Sequence, residues 1–271
     1  MNLRRFTISL LVIFSSLIIF SSLIVSLWDI NFWPTDAEVY YLPAAKKLPT
    51  LKYISEIHSM MDKEGVRWLH GKEMLILCVS FVQQLIHDTQ TLRPFILVCV
   101  LALFNSSLFI FSIARDYWKE NVAFVGWLLF TTSFWPYIYV IFAKHQPLGL
   151  MFFLAAVYLL RFLDHRKCRW PALLVSGVFM GFAFYSSNIT PLYLPYYLGA
   201  FIYWHINELI NVRRRLLVFW SAAVIFLGFT LSFVYFNYPN IIYNVKSYFE
   251  YVDISSGKNH FYYLQEVLQQ W

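Results

Sequence analysis

The run FTISLLVIFSSLIIFSSLIVSLW, residues 6–28, holds 23 residues and not one charge. As a helix rising about 1.5 Å per residue it reaches about 35 Å, enough to cross the roughly 30 Å hydrocarbon core of a bilayer. A secretory signal peptide has a shorter apolar core, about 7–15 residues, closed by a small-residue cleavage pattern. No A-x-A pattern follows here, and Arg4 and Arg5 stand directly before the run. It reads as an uncleaved first span with its N-terminus in the cytoplasm.

Six further apolar runs cover residues 92–114, 122–142, 147–163, 171–187, 191–206 and 216–237. A seventh, 74–86, has 13 residues including Gln83 and Gln84. An ordinary span needs about 20 residues. If 74–86 does not cross, one side of the membrane receives Arg4, Arg5, Arg115, Lys119, Arg161, Arg166, Lys167, Arg169, Arg213, Arg214 and Arg215. The short loops on the other side receive Lys144. If it does cross, nine of those eleven basic residues move outside, against the bias of Lys and Arg toward the cytoplasm. Residues 74–86 are therefore expected to lie in the interface or to dip in and out.

The expected fold class is all-α: a polytopic transmembrane helical bundle of about seven spans, with interfacial helices in the first external loop. Residues 1–271 form one transmembrane domain. Residues 29–91 are the first external loop, and 238–271 start a second on the same face. A composition that is 59% hydrophobic and 13% charged fits a membrane protein and no soluble class. The net charge of +6 follows from orientation and implies no nucleic-acid partner.

Cys78, Cys99 and Cys168 form no CxxC pair and lie in or beside apolar runs. They read as small buried hydrophobes rather than a disulfide framework or zinc site. His58, His70, His87, His145, His165, His205 and His260 show no close ligand spacing. There is no GxGxxG, P-loop, HExxH or GxSxG motif, and neither metal nor cofactor is expected.

The stretch FWPTDAEVYYLPAAKKL, residues 32–48, begins just beyond the first span. Its mixture of apolar and polar groups suits a helix lying flat at the headgroup level, with Pro43 in its first turn. A helical turn would place Asp36 and Tyr40 on one face. The plain alternative is an aromatic belt with solvated charges.

TDAEVYYLPAAKKL resembles the start of the first external loop in polyprenyl-phosphate-sugar-dependent glycosyltransferases of the GT-C fold. That class includes the protein O-mannosyltransferases and the lipid A aminoarabinose transferases. Asp36, Tyr40, Tyr41, Leu42, Pro43 and Ala44 match the pattern. RPFILVCVLALFNSSLFIFSIARDYW and HQPLGLMFFLAAVYLLRFL resemble later spans, and GKNHFYYLQEVL resembles the second external loop. Two features depart from the pattern: Lys144, His145 and Gln146 precede Pro147 where an acidic residue is frequent, and Asp36 is followed by Ala37 with Glu38 one place late.

The resemblance implies inverting transfer of a sugar from a polyprenyl-phosphate donor to a lipid, glycan or protein acceptor at the external face of a bacterial inner (plasma) membrane. A phosphate leaving group needs little acid assistance, whereas the acceptor hydroxyl must lose its proton to a base. Asp36 is the expected base and Glu38 its substitute. Arg67, Lys72, Lys144, Lys258 and His260 are candidate partners of the phosphate, each with solvated charge as the plain alternative. Tyr40, Tyr41 and Trp68 either stack on a sugar or pack against lipid. The resemblance further implies about eleven to thirteen spans, so the chain is expected to be the N-terminal portion of a larger enzyme and inactive alone. A non-catalytic membrane partner is the alternative. A transporter is disfavoured because the span interiors hold almost no charges.

Overall fold

The structure is a computed structural model that describes residues 3–28, 41–47, 72–141, 145–164, 167–187 and 190–237. Within them run α1 (Leu3–Leu27), α2 (Leu42–Lys47), α3 (Glu73–Ile86), α4 (Arg93–Tyr117), α5 (Glu120–Thr132), α6 (Phe134–Ile141), α7 (Gln146–Leu160), α8 (Arg169–Phe184), α9 (Leu194–Ile210) and α10 (Arg215–Asn237). No strand occurs among the described residues. Prolines stand in the first turns of α4, α7 and α9, where the missing N–H has no helical partner to lose.

Two polar anchors show that α1 and α4 run antiparallel. The Arg93 guanidinium donates to the Trp28 carbonyl (3.2 Å), and Arg115 donates to the Ser9 hydroxyl (3.1 Å). The chain then passes back and forth between two ends. Arg161 pairs with Asp116 at 2.8 Å, which sets the end of α7 beside the end of α4. A Cβ on Gly149 of α7 would lie 2.7 Å from the Ser187 Cβ, which sets the start of α7 against the end of α8. Arg115, Arg161, Arg169 and Arg213–215 thus gather at one end, the Arg161 end, and Trp28, Arg93, His145 and Tyr185 at the other, the Trp28 end.

α1, α4, the α5–α6 pair and α10 are long and apolar enough to cross a membrane; α3, α7 and α8 are shorter apolar helices. The structure differs from the sequence expectation in two spans. The run 122–142 breaks at Ser133, whose extended backbone (ψ 147°) separates α5 from α6. The run 147–163 ends its α-helix at Leu160 and tightens into a 3₁₀ turn over Arg161–Asp164, a common way for a helix to close.

α3 makes no passage between the ends. The Met74 N–H donates to the Tyr185 carbonyl (2.8 Å), and the chain beyond α3 re-enters the bundle at Arg93. Both termini of α3 therefore belong to the Trp28 end. It stops at His87, whose left-handed backbone (φ 54°) returns its N–H to the Gln83 carbonyl.

The most extensive pairing joins α8 and α10, which run parallel. Gly177 and Gly181 stand four apart on α8, Gly177 against Gly228 of α10 and Gly181 against Ser232. A Cβ on Gly177 would collide with the Ile225 carbonyl, and one on Gly228 with the Leu174 carbonyl. This is backbone-to-backbone packing, the means by which helices associate in lipid, where burial of apolar area gives no net drive. Short polar ties add to it elsewhere. Trp127 Nε1 donates to the Ser16 hydroxyl (2.9 Å), which lies 3.3 Å from the Ser107 hydroxyl, joining α5, α1 and α4.

Candidate functional site

The Trp28 end contains a buried polar cluster built by α2, α3 and the connections around them. Tyr41, at the head of α2, is 1% exposed, and its ring stacks on Phe95 of α4 at 6.0 Å. Lys72 precedes α3, is 5% exposed, and holds its Nζ 5.5 Å from the centre of the Tyr41 ring. Glu73, the first residue of α3, is 1% exposed. A buried ammonium is costly in apolar surroundings; the negative face of an aromatic ring offsets part of that cost. Gln83 Nε2 reaches the Leu42 carbonyl at 3.5 Å, which ties α3 to α2.

Just beyond α3, Asp88 organises the turn into α4. Its carboxylate accepts from the Gln90 N–H (3.0 Å), the Thr91 N–H (3.1 Å) and the Thr91 hydroxyl. Burial works against the charged form of Asp88. The Thr91 hydroxyl, the two backbone donors and the nearby Arg93 outweigh it and hold the carboxyl below its ordinary value.

Of the residues singled out from the sequence, the structure brings Tyr41 and Lys72 together. Asp36, Glu38, Tyr40, Arg67, Lys144, Lys258 and His260 lie outside the described residues, as does Trp68. Lys72 is buried rather than solvated, and the Tyr41 ring packs against Phe95 rather than lipid. Pro43 stands in the first turn of α2, as expected. Cys99 is buried and Cys78 half-buried, but Cys168 is exposed, because it precedes α8 at the Arg161 end instead of entering the bundle.

Glu73 was absent from the sequence candidates, although the Lys72-Glu73 doublet at the edge of an apolar run was visible there. Among the described residues, no group of three His, Cys, Asp or Glu side chains could hold a metal ion.

A second feature opens beside this cluster. A cleft of 420 Å³ lies between α8, α9 and α10. Phe184 and Leu194, at the Trp28 end, form its upper rim, and Phe201 and Ala222 lie deeper. Every lining side chain is apolar except Tyr197, whose hydroxyl is 2.7 Å from that of Ser176. Ser176 in turn donates to the Ala156 carbonyl at 2.8 Å. Leu198 and Phe226 are 48% and 69% exposed, so the cleft is open sideways.

A family model described as dolichyl-phosphate-mannose-protein mannosyltransferase matches residues 74–236, more than half the chain. No curated protein and no solved structure matches it.

Proposed function

The chain belongs to the dolichyl-phosphate-mannose-protein mannosyltransferase family, and from that premise we propose that it transfers a sugar, with inversion, from a polyprenyl phosphate to an acceptor hydroxyl. Membership makes it a membrane glycosyltransferase of the GT-C type. The proposed chemistry takes place at the Trp28 end, facing away from the cytoplasm. The bundle would cross the membrane seven times, through α1, α4, α5–α6, α7, α8, α9 and α10, with its N-terminus in the cytoplasm and α3 staying on the outer side. A bacterial inner membrane is the proposed location.

In the proposed reaction the acceptor oxygen attacks the anomeric carbon from the face opposite the phosphate. The bond from that carbon to the phosphate oxygen breaks, its electrons leave with the polyprenyl phosphate, and one displacement inverts the centre. The acceptor proton passes to the carboxylate of Asp36. Charge building on the departing phosphate is met by cations. Lys72 is suited to that role because its ammonium is held at the right end in a place from which water is largely excluded, where its field is less screened. Arg67, Lys144, Lys258 and His260 are proposed as further phosphate partners, and Glu38 as the substitute base.

The family match carries this proposal. Its test is the transfer rate of Asp36→Asn and Glu38→Gln at matched protein levels in membranes. Removing a general base costs about 10²–10⁴ in rate, so Asp36→Asn is expected to lose most activity while Glu38→Gln keeps most of it. Near-normal transfer by Asp36→Asn would remove Asp36 from the chemistry.

A further inference from the structure

We propose that the turn between α9 and α10 is a binding site for the headgroup of an anionic phospholipid. It lies at the Arg161 end, opposite the proposed chemistry, and does not depend on sugar transfer. A fixed backbone, an unbalanced charge and a depth in the bilayer carry the proposal.

The backbone is fixed locally. Val212–Arg214 form one 3₁₀ turn. Asn211 holds it twice: its side-chain oxygen accepts from the Arg213 N–H (3.1 Å) and its carbonyl from the Arg214 N–H (2.9 Å). Arg215 Nε donates to the Leu209 carbonyl at 3.2 Å and ties the start of α10 to the end of α9. The arginines thus project from an ordered turn rather than a loose loop, which lowers the entropy lost when a ligand is held.

The charge is unbalanced. Arg213, Arg214 and Arg215 are all exposed. Among the described residues, the guanidinium groups of Arg213 and Arg214 meet no carboxylate, whereas Arg161 at the same end is paired with Asp116. Glu208, the acid nearest in sequence, is half-buried and pairs with neither. A planar guanidinium can fork onto two oxygens of one phosphate, so two adjacent ones suit a phosphate that carries uncompensated negative charge.

The depth comes from the apolar neighbours. Ile210 and Val212 stand on either side of Asn211 and are 75% and 71% exposed. Leu216 follows, and beyond it Phe219 and Trp220 are exposed and pack edge to face. Side chains like these belong among acyl chains, with tryptophan just beneath the headgroups. The arginines above them then stand at the level of the lipid phosphates. A soluble phosphate would use the arginines alone; an anionic lipid uses the arginines and the apolar collar together.

The experiment measures retention of phosphatidylglycerol and of phosphatidylcholine by the full chain in neutral detergent, by native mass spectrometry. Both lipids carry a phosphate, but in phosphatidylcholine the choline cancels its charge. Wild type should prefer phosphatidylglycerol about tenfold or more. Arg213→Gln with Arg214→Gln should weaken phosphatidylglycerol about tenfold or more. Arg213→Lys with Arg214→Lys keeps the charge but loses the fork, and should fall between wild type and the glutamine pair. Lys119→Gln with Lys167→Gln removes two exposed charges from the same end and should bind within about twofold of wild type. Excess glycerol phosphate should leave the bound lipid in place.

The proposal is overturned if the Arg213–Arg214 glutamine pair holds phosphatidylglycerol as tightly as wild type. It is also overturned if both glutamine pairs weaken it equally, since net charge alone would then account for binding, or if wild type holds phosphatidylcholine as tightly. Displacement by glycerol phosphate at concentrations matched to the lipid would make this a site for soluble phosphate and overturn the lipid assignment.

Discussion

Tyr41 and Lys72 depend on each other. The ring is fixed by Phe95 and by its place at the head of α2, and the ammonium lies within cation–π reach of it. Tyr41→Phe keeps the ring and is expected to cost less than about 1 kcal/mol, whereas Tyr41→Leu loses the stack and leaves a void, costing about 2–4 kcal/mol. Denaturant unfolding of the purified protein separates the two variants; equal losses would show that the ring face is immaterial. Tyr41 and Lys72 were both visible in the sequence as polar or aromatic groups beside a span. Their pairing was not, because it depends on α3 folding back to bring residue 72 over residue 41. Glu73 was hidden for a different reason: an acidic residue heading an apolar run looks like a helix-start signal, and nothing local shows that it is buried.

At the scale of the element, the seam between α8 and α10 is set by what is missing from it. Gly177→Leu or Gly228→Leu forces a side chain into a neighbouring backbone. Overpacking of this kind costs about 1–3 kcal/mol or more, because a carbonyl cannot swing aside as a flexible side chain can. Gly126 and Gly199 have nothing within 4 Å of an added Cβ. Gly126→Leu and Gly199→Leu should therefore unfold within about 0.5 kcal/mol of the wild type, measured in the same detergent. Equal damage at all four sites would mean that glycine matters for its backbone rather than its size. The apolar runs made the existence of these helices legible, since composition alone forces them. The Gly177–Gly181 spacing stands in the sequence but was not singled out from it, because it names no partner; Gly228 belongs to a distant run. The break at Ser133 falls in the polar triplet Thr131-Thr132-Ser133, with Pro136 just beyond, and was hidden because long apolar stretches flank it on both sides.

At the scale of the whole molecule, sidedness has a native reporter. Cys168 is exposed at the Arg161 end, whereas Cys99 is buried. With the Arg161 end in the cytoplasm, a membrane-impermeant maleimide should leave Cys168 untouched in intact cells and label it in inverted vesicles. Gln90→Cys, exposed between α3 and α4 at the Trp28 end, should show the reverse pattern. Labelling of Cys168 from outside would invert the proposed orientation. The proposed orientation rests on the count of basic residues; the hydrogen bonds at Tyr185 and Trp28 bear on the return of α3 to the end it left.

The return of α3 to the end it came from makes it a parity switch. Each crossing reverses the sense of everything downstream, so a helix that declines to cross decides which way α4 to α10 all point. At 14 residues, about 21 Å, α3 falls short of a bilayer core, and it carries Gln83 and Gln84 in its last turns. Replacing both with leucine would make α3 more apolar and invite insertion. A fraction of molecules should then be assembled upside down from α4 onward, with Cys168 labelled from outside in proportion. Two glutamines thereby guard the address of every residue that follows them.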